Sequence, residues 1–234
     1  MGEGNGDTMV EWPSLIRGVR ALIFDKDGTL LDSEEGLWRP AYERMLERYG
    51  LAHTRETHAL MLGASDRHCV QILQERHPHL PQGDLGVKRL LRERLETLRA
   101  IRQERGVAPM PGVVRFLAWA AEQRLPIAIA TSSSRAETDT ELALLGWTGV
   151  FGAVVTADDV VDRKPHPEPF LKAARLLDVP PDACLAFEDG KKGVQSAAAA
   201  GMRVVFLRDT RFNPDIPPET SLVINSFEEL LPLP

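Results

Sequence analysis

Short apolar segments that end at a polar residue and lead into a helical period recur along the chain, and this alternation limits the possible folds most strongly. The segments are Ala21–Phe24, Ile127–Ala130, Ala153–Val155, Cys184–Phe187, Arg203–Phe206 and Leu222–Ile224. Strands that are apolar on both faces and separated by helices are typical of a buried parallel sheet with right-handed crossovers. The pattern therefore predicts an α/β fold with helices on both faces of the sheet.

One interval is too long for an ordinary crossover. About 100 residues without a convincing strand separate the first two segments, whereas a crossover needs little more than its helix. This interval contains four predicted helices, Leu37–Tyr49, Arg55–Leu62, Asp66–Glu75 and Asp84–Arg105. We therefore expect an all-helical domain of residues 34–107, inserted into a sheet domain of residues 1–33 and 108–234, and we expect residues 1–12 to be flexible.

Composition and charge narrow the class of protein. Hydrophobic residues make up 43% of the chain and the net charge is -6, so the whole molecule repels nucleic acid and anionic lipid, and neither is expected as a partner. The basic run Lys88–Arg105 alternates with apolar residues and is interpreted as a solvated helix face. The chain has only two cysteines, which favours a reduced, cytoplasmic protein without a disulfide. It shows no signal peptide and no apolar run of about 18 residues, so we expect neither export nor a membrane span.

Two carboxylates follow the first apolar segment, in the sequence Asp25-Lys26-Asp27-Gly28-Thr29. The ends of parallel strands meet at one edge of a sheet, where ligands bind in such folds. Carboxylates this close can share one hard cation, and Mg²⁺ is the ion we expect. A plain turn is the alternative, because Asp-Gly pairs are common in turns. A calcium-binding EF-hand fits poorly, since Gly36 stands where its bidentate Glu would be.

Three further groups are candidates for the same edge: Thr131–Ser134 after the second segment, Lys164 in a proline-rich approach to a helix, and Glu188 with Asp189 after the fourth. Hydroxyls and amides at a helix N-terminus suit a phosphate, and a rigidly mounted lysine adds positive charge. Each group also has an ordinary explanation. The serines and acidic residues are common helix N-caps, and a lone lysine is usually a solvated surface charge.

Taken together and in chain order, these groups resemble the four motifs of the haloacid dehalogenase superfamily of phosphotransferases. The matching residues are Asp25–Thr29, Thr131, Lys164-Pro165 and Glu188-Asp189. The resemblance extends from about Val19 to the C-terminus, and the insert lies between the first two motifs, as in members with a small helical (C1-type) cap. Phe187–Asp189 and Lys164–Pro167 look like the β-phosphoglucomutase and sugar-phosphatase branch. The resemblance implies a Rossmann-like core with a helical cap.

The resemblance also implies roles for individual residues. Asp25 would be the nucleophile and Asp27 the general acid and base. Asp25, Asp27 through its backbone carbonyl, and Asp189 would bind Mg²⁺, with Glu188 supporting the metal shell. Thr131, Ser132 and Lys164 would bind the phosphoryl group. In the cap, Ser65 and Arg67 of the loop Gly63–His68 would contact the substrate, although exposed polar residues in the first turn of a helix are an equally good interpretation.

The function implied is a Mg²⁺-dependent phosphatase that hydrolyses a small phosphorylated metabolite, such as a sugar, polyol or nucleoside-type monophosphate, through a phosphoaspartate. A sugar-phosphate mutase is the alternative. Mutases of this branch carry a linker histidine where this chain has Glu34–Trp38, which favours hydrolysis. Gly190 replaces the serine usual after the Glu-Asp pair, which removes one hydroxyl but no charge. A phosphoacceptor signalling module is a remote alternative, because its motifs come in a different chain order.

Overall fold

The computed structural model describes residues 11–61, 64–210 and 215–231, and the chain divides into two compact units. We call Met1–Leu30 together with Pro109–Pro234 the sheet unit, and Leu31–Ala108 the helical unit. The expected flexibility of residues 1–12 concerns mainly residues 1–10, which lie outside the described residues. It does not extend to Trp12, which begins a short helix and packs against Phe116 with ring centroids 5.8 Å apart.

Strands and helices alternate through the sheet unit, and the helical unit lies between the first two strands in the chain. The strands are β1 (Ala21–Phe24), β2 (Ile127–Ala130), β3 (Ala153–Val155), β4 (Cys184–Glu188), β5 (Arg203–Leu207) and β6 (Leu222–Ile224). The α-helices within the described ranges are α1 (Trp12–Leu15), α2 (Arg39–Glu47), α3 (Arg55–Ala59), α4 (Asp66–Arg76), α5 (Gly83–Arg105), α6 (Val113–Glu122), α7 (Arg135–Leu144), α8 (Glu168–Leu176) and α9 (Lys191–Ala199). A π-helix (Glu34–Trp38) runs directly into α2, and 3₁₀ turns occupy Pro181–Ala183 and Phe227–Leu230.

The six strands form one parallel sheet in the order β3-β2-β1-β4-β5-β6, which confirms the predicted α/β class. The strand order reverses between β1 and β4, and ligands bind beyond the carboxyl ends of the strands at such a reversal. Phe24 of β1 lies opposite Ile129 of β2 and Phe187 of β4. The residues that follow these three strands therefore lie side by side.

Both faces of the sheet are buried, but by different kinds of side chain. On one face small residues of α8 and α9, among them Ala173 and Ala197, pack in a cluster with strand residues such as Ala128 and Val204. The second cluster is aromatic: the Phe24 and Phe187 rings stack at 4.8 Å, and Phe116 and Phe227 pack against Phe187 at 5.2 and 5.5 Å. The wholly apolar strands predicted from sequence follow from this two-sided burial.

The helical unit has its own apolar core. One cluster of this core includes Tyr42 and Leu46 from α2, Leu73 from α4 and Leu90 from α5. The two ends of the unit are close together, because the Asp32 amide donates to the Ala108 carbonyl at 3.0 Å. Because of this hydrogen bond, the chain enters the helical unit and leaves it at neighbouring points.

The interpretation of Lys88–Arg105 as a solvated face is wrong at two positions. Arg94 and Arg102 are only 8% and 7% exposed. The Arg94 guanidinium lies 5.0 Å from the centre of the Tyr42 ring and 3.0 Å from Asp66 Oδ2. A guanidinium that stacks on an aromatic ring and pairs with a carboxylate can be buried without losing its partners.

Among the described residues, no helix combines the length and the apolar character that crossing a membrane would need. Cys69 and Cys184 are both buried and are free thiols.

Replacing Phe227 with alanine is expected to lower the free energy of unfolding by about 3–5 kcal/mol. The Phe227 side chain is fully buried, so its removal leaves a cavity and also loses the apolar contacts of the ring. Urea denaturation of the purified protein measures the change. Val161→Ala, at a position 90% exposed, is the control and is expected to have no measurable effect. A loss below about 1 kcal/mol for Phe227→Ala would show that the aromatic cluster does not depend on this C-terminal segment.

Candidate active site

Three charged side chains meet where β1 and β4 end. Asp25 follows β1 directly and its amide donates to the Phe187 carbonyl at 2.9 Å, while Glu188 is the last residue of β4. The Lys164 ammonium, from the loop before α8, lies 2.5 Å from Asp25 Oδ1 and 2.6 Å from Glu188 Oε1. The Lys164 side chain is only 6% exposed. The alternative that this residue is an ordinary solvated surface lysine is therefore wrong.

Burial and close charges shift the proton affinities of this cluster. Burial raises the pKa of Asp25 from 3.8 to about 7; Lys164 opposes the rise, whereas Glu188 and Asp27 add to it. Burial alone would lower the pKa of Lys164, but Asp25 and Glu188 reverse the effect and raise it. The lysine is therefore held as an ammonium between two carboxylates.

Asp189, the next residue, is held against the turn that follows β1. The Thr29 hydroxyl donates to Asp189 Oδ1 at 3.1 Å. Gly28 has a φ of +78°, and a Cβ at this position would lie 2.2 Å from Asp189 Oδ2. Burial, together with Glu188 and Asp25, raises the pKa of Asp189 well above its usual value. The close approach of the Asp189 carboxylate therefore requires glycine at position 28.

Glu188 is fixed by backbone as well as by Lys164. Its Oε2 accepts from the amides of Asp189 and Gly190 at 3.0 and 2.9 Å. A Cβ on Gly193 in α9 would lie 1.7 Å from Glu188 Oε1. The missing side chain at Gly193 makes the space that the Glu188 carboxylate occupies.

Asp27 is held by a separate set of contacts. Its Oδ2 lies 3.1 Å from Lys26 Nζ and accepts a hydrogen bond from the Ser133 hydroxyl at 2.5 Å. Lys26 is only 1% exposed and also forms an ion pair with Glu141 of α7, which is equally buried. Burial would lower the pKa of Lys26, but Asp27 and Glu141 raise it.

In the segment that follows β2, the first residue, Thr131, is buried and the second, Ser132, is exposed to solvent. Thr131 is 2% exposed; its amide donates to the Val155 carbonyl at 2.9 Å, and its hydroxyl oxygen accepts from the Ser133 amide at 3.1 Å. Ser132 is exposed. Ser134 is the N-cap of α7 and accepts from the Glu137 amide. The N-cap interpretation therefore holds for Ser134.

The two residues predicted to contact substrate from the insert belong to the helical unit. Ser65 is the N-cap of α4 and accepts from the His68 amide at 3.3 Å. Arg67, half-exposed in the first turn of α4, pairs with Asp84. Gly63, the start of the predicted loop, lies outside the described residues. Both contacts are made to residues of the same unit, and the predicted role in substrate binding stays a prediction.

Sequence reasoning missed the contacts made by Ser133, Glu141 and Gly193. Ser133 belongs to the candidate segment Thr131–Ser134, whereas Gly193 lies outside the four motifs. For both residues, spacing along the chain gives neither the rotamer of a side chain nor the depth of packing. Glu141 follows Thr138 by three residues on α7, and both are buried on the same inward face. Only the structure shows this burial, because an acidic residue on a helix is ordinarily expected to be exposed.

The residues at this edge fit a divalent cation. The Asp25 and Glu188 carboxylates both contact the Lys164 ammonium, Asp189 follows Glu188 directly, and burial with neighbouring acidic groups raises the pKa values of Asp25 and Asp189. Buried carboxylates clustered in this way are the donor set of a hard oxygen-binding ion. Gly28 additionally leaves the Asp189 carboxylate room to approach the turn after β1.

Comparison with known proteins gives consistent matches over most of the chain. The model of the family described as haloacid dehalogenase-like hydrolase matches residues 22–207. The fructose-1-phosphate phosphatase YqaB of Escherichia coli is 38% identical over 187 residues, which cover 80% of this chain and 95% of the relative. The phosphorylated carbohydrates phosphatase of Thermotoga maritima is 32% identical over 188 residues, covering 80% and 84%.

A solved structure has the same architecture. The crystal structure of CbbY from Rhodobacter sphaeroides in complex with phosphate is similar with a TM-score of 0.75 and 26% identity. The similarity covers 91% of this chain and 96% of CbbY.

Stability without metal is expected to depend on pH through Asp25, whose pKa rises from 3.8 to about 7 on folding. Between these values the folded protein retains a proton that the unfolded chain has released, so wild-type stability falls as pH rises through this range. Asp25→Asn removes this dependence and is expected to gain about 2–4 kcal/mol over wild type between pH 4 and pH 8. Urea denaturation in EDTA measures the difference at both pH values.

Asp182→Asn is the control, because this exposed carboxyl lies in the same unit and outside the cluster. A constant difference between Asp25→Asn and wild type across the pH range would contradict the raised pKa of Asp25.

Proposed function

Because the chain belongs to the haloacid dehalogenase-like hydrolase family, as its motifs predict, we propose that it is a Mg²⁺-dependent phosphatase of small phosphorylated metabolites. The observation that carries the proposal is the buried cluster of Asp25, Lys164 and Glu188 at the ends of β1 and β4. The names of the two curated relatives support a phosphorylated sugar as the first substrate class to test. Polyol and nucleoside-type monophosphates belong to the same proposal.

In the first step an Asp25 carboxylate oxygen attacks the phosphorus of the ester. The bond between phosphorus and the leaving oxygen breaks, and Asp27, which begins the step as the carboxylic acid, gives that oxygen a proton, so that an alcohol departs and Asp25 carries the phosphoryl group. Lys164 holds Asp25 in place at 2.5 Å and adds positive charge beside the phosphoryl oxygens. Thr131 and the Ser132 amide are the proposed donors to these oxygens.

In the second step Asp27 takes a proton from water as the water oxygen attacks the phosphorus. The bond between phosphorus and Asp25 breaks, inorganic phosphate leaves, and both aspartates return to their starting states. The two steps require one carboxyl group, that of Asp25, to be held for attack on phosphorus and a second, that of Asp27, to be held for proton transfer. The separate contacts of Asp25 and Asp27 support this division.

Asp25, the backbone carbonyl of Asp27 and Asp189 are the proposed ligands of Mg²⁺, which when bound would supply the positive charge that lets a phosphate dianion approach several carboxylates. Thr29 and Gly28 position Asp189 for this role. The inserted domain of residues 34–107, with Ser65 and Arg67, is proposed to select the remainder of the substrate.

A sugar-phosphate mutase is the alternative with the same first step. It differs in the fate of the phosphoaspartate, which a mutase returns to a sugar instead of to water. The linker of this chain has Glu34–Trp38 where the mutases have a histidine, and the proposal is therefore hydrolysis.

Purified protein with Mg²⁺ is expected to release inorganic phosphate from at least one member of a panel of fructose 1-phosphate, a hexitol phosphate, glycerol phosphate and a nucleoside monophosphate. EDTA is expected to stop the release and added Mg²⁺ to restore it. Asp25→Asn is expected to lower kcat by at least about 10³-fold, because the nucleophile is lost. Phosphate release and product identity are measured together for each substrate.

Asp182→Asn, which changes an exposed carboxyl, is expected to keep wild-type turnover. Turnover by Asp25→Asn within about tenfold of wild type would contradict a covalent role for Asp25. An isomerised sugar phosphate that appears faster than inorganic phosphate would establish the mutase instead.

Gly28→Ala is expected to raise the Mg²⁺ concentration for half-maximal activity by about 10-fold or more, because the new Cβ displaces Asp189. Gly18→Ala is a matched control. Gly18 has a φ of +77° against +78° at Gly28, but its Cβ would meet nothing within 4 Å. Both variants carry the strain of a left-handed backbone, so equal Mg²⁺ requirements in the two would show that the clash with Asp189 is unimportant.

A further inference from the structure

We propose that Lys26 and Glu141 are positioning residues, a buried ion pair that holds the Asp27 carboxyl group where its acid form can protonate the leaving oxygen of the substrate. The inference rests on the proposed function, because it concerns the proton donor of that reaction. It adds two residues that have no direct part in the phosphoryl transfer.

The burial of Lys26 needs an explanation. Its side chain is 1% exposed, although lysine is rarely buried so completely without partners. It lies between Asp27 and Glu141, with Nζ 3.1 Å from Asp27 Oδ2. An ammonium taken out of water at such cost is retained only where its partners compensate it. The two carboxylates are those partners, and one of them is Asp27.

Asp27 Oδ2 is the common point of two contacts. Lys26 Nζ and the Ser133 hydroxyl both approach this oxygen, at 3.1 and 2.5 Å. Ser133 is itself fixed, since its carbonyl accepts from the Ala157 amide at 3.0 Å and its amide donates to Thr131 Oγ1 at 3.1 Å. Two contacts from fixed groups to one carboxylate oxygen restrict both side-chain torsions of Asp27.

Glu141 connects this arrangement to α7. It lies on the inward face of the helix beside Thr138, which is 0% exposed and whose hydroxyl donates to the Ser134 carbonyl at 2.9 Å. Ser133 stands just before the same helix. One rigid element therefore sets the position of both groups that reach Asp27, the Ser133 hydroxyl directly and Glu141 through Lys26.

Precise placement matters most for esters with poor leaving groups. An alkoxide must be protonated as it leaves, whereas 4-nitrophenolate is stable as an anion and needs little help. Misplacing Asp27 should thus slow alkyl phosphates selectively. A general loss of folding or of phosphate binding would slow both kinds of ester alike.

The test is the double variant Lys26→Met/Glu141→Leu, which removes both charges of the pair and so leaves neither uncompensated in the interior. The measured quantity is kcat/KM, which covers only the steps up to departure of the alcohol. For the best alkyl phosphate of the panel, kcat/KM is expected to fall by about 10–100-fold, and for 4-nitrophenyl phosphate by less than about threefold. Asp27→Asn sets the upper limit of this selective loss.

Thr138→Ala is the matched control, because it destabilises the same helix without removing either charge. It is expected to leave the ratio of alkyl to aryl kcat/KM unchanged. The Mg²⁺ concentration for half-maximal activity is measured for every variant and is expected to stay at the wild-type value in the double variant. Glu141→Gln, which keeps the shape of the side chain, is expected to give a smaller selective loss and serves if the double variant does not fold.

Equal losses for the two esters, or no loss, in a folded variant would overturn the positioning role. A raised Mg²⁺ requirement in the double variant would also overturn it, by assigning the pair to the metal site. These outcomes are distinct from failure of the proposed function, in which wild type and Asp25→Asn would release phosphate at similar rates or not at all.

Discussion

The Lys164 ammonium joins three parts of the sheet unit that are far apart in the chain. It lies between the Asp25 carboxylate after β1 and the Glu188 carboxylate at the end of β4, and all three side chains are nearly excluded from solvent. In this setting each charge depends on the others, because water cannot replace a missing partner. The contact exists only because β1 and β4 are neighbours in the sheet, so the site depends on the strand order itself.

A second lysine repeats this arrangement around the second aspartate. Lys26 lies between Asp27 and Glu141, as Lys164 lies between Asp25 and Glu188. Each aspartate of the first motif is thus paired with a different lysine, and each of these lysines also contacts a glutamate. The first set comes from strand ends and a loop, and the second involves α7. Two aspartates separated by a single residue are in this way held by different parts of the fold, which suits groups with different tasks.

The sheet and the strand-end residues could be predicted because each depends on a local pattern. Apolar runs that end in Asp25, Thr131 and Glu188 mark strands of a parallel sheet, whose geometry brings their ends together. The contacts of Glu141 and Arg94 could not be predicted in this way. Both are charged residues on helices, where an exposed position is the usual expectation, and their burial depends on partners supplied by other segments, Lys26 and Tyr42. Periodicity shows which face of a helix is inward, but not which charge it meets there.

Gly28 and Gly193 bear on how sequence variants of this chain should be interpreted. Each has a carboxylate, of Asp189 or Glu188, in the volume that a methyl group would fill. A change from glycine to alanine looks conservative by size and polarity, because it removes no polar side-chain group. At these two positions the same change would move an acidic group, so harmful natural variation here would be scored as mild by any scale built on side-chain similarity.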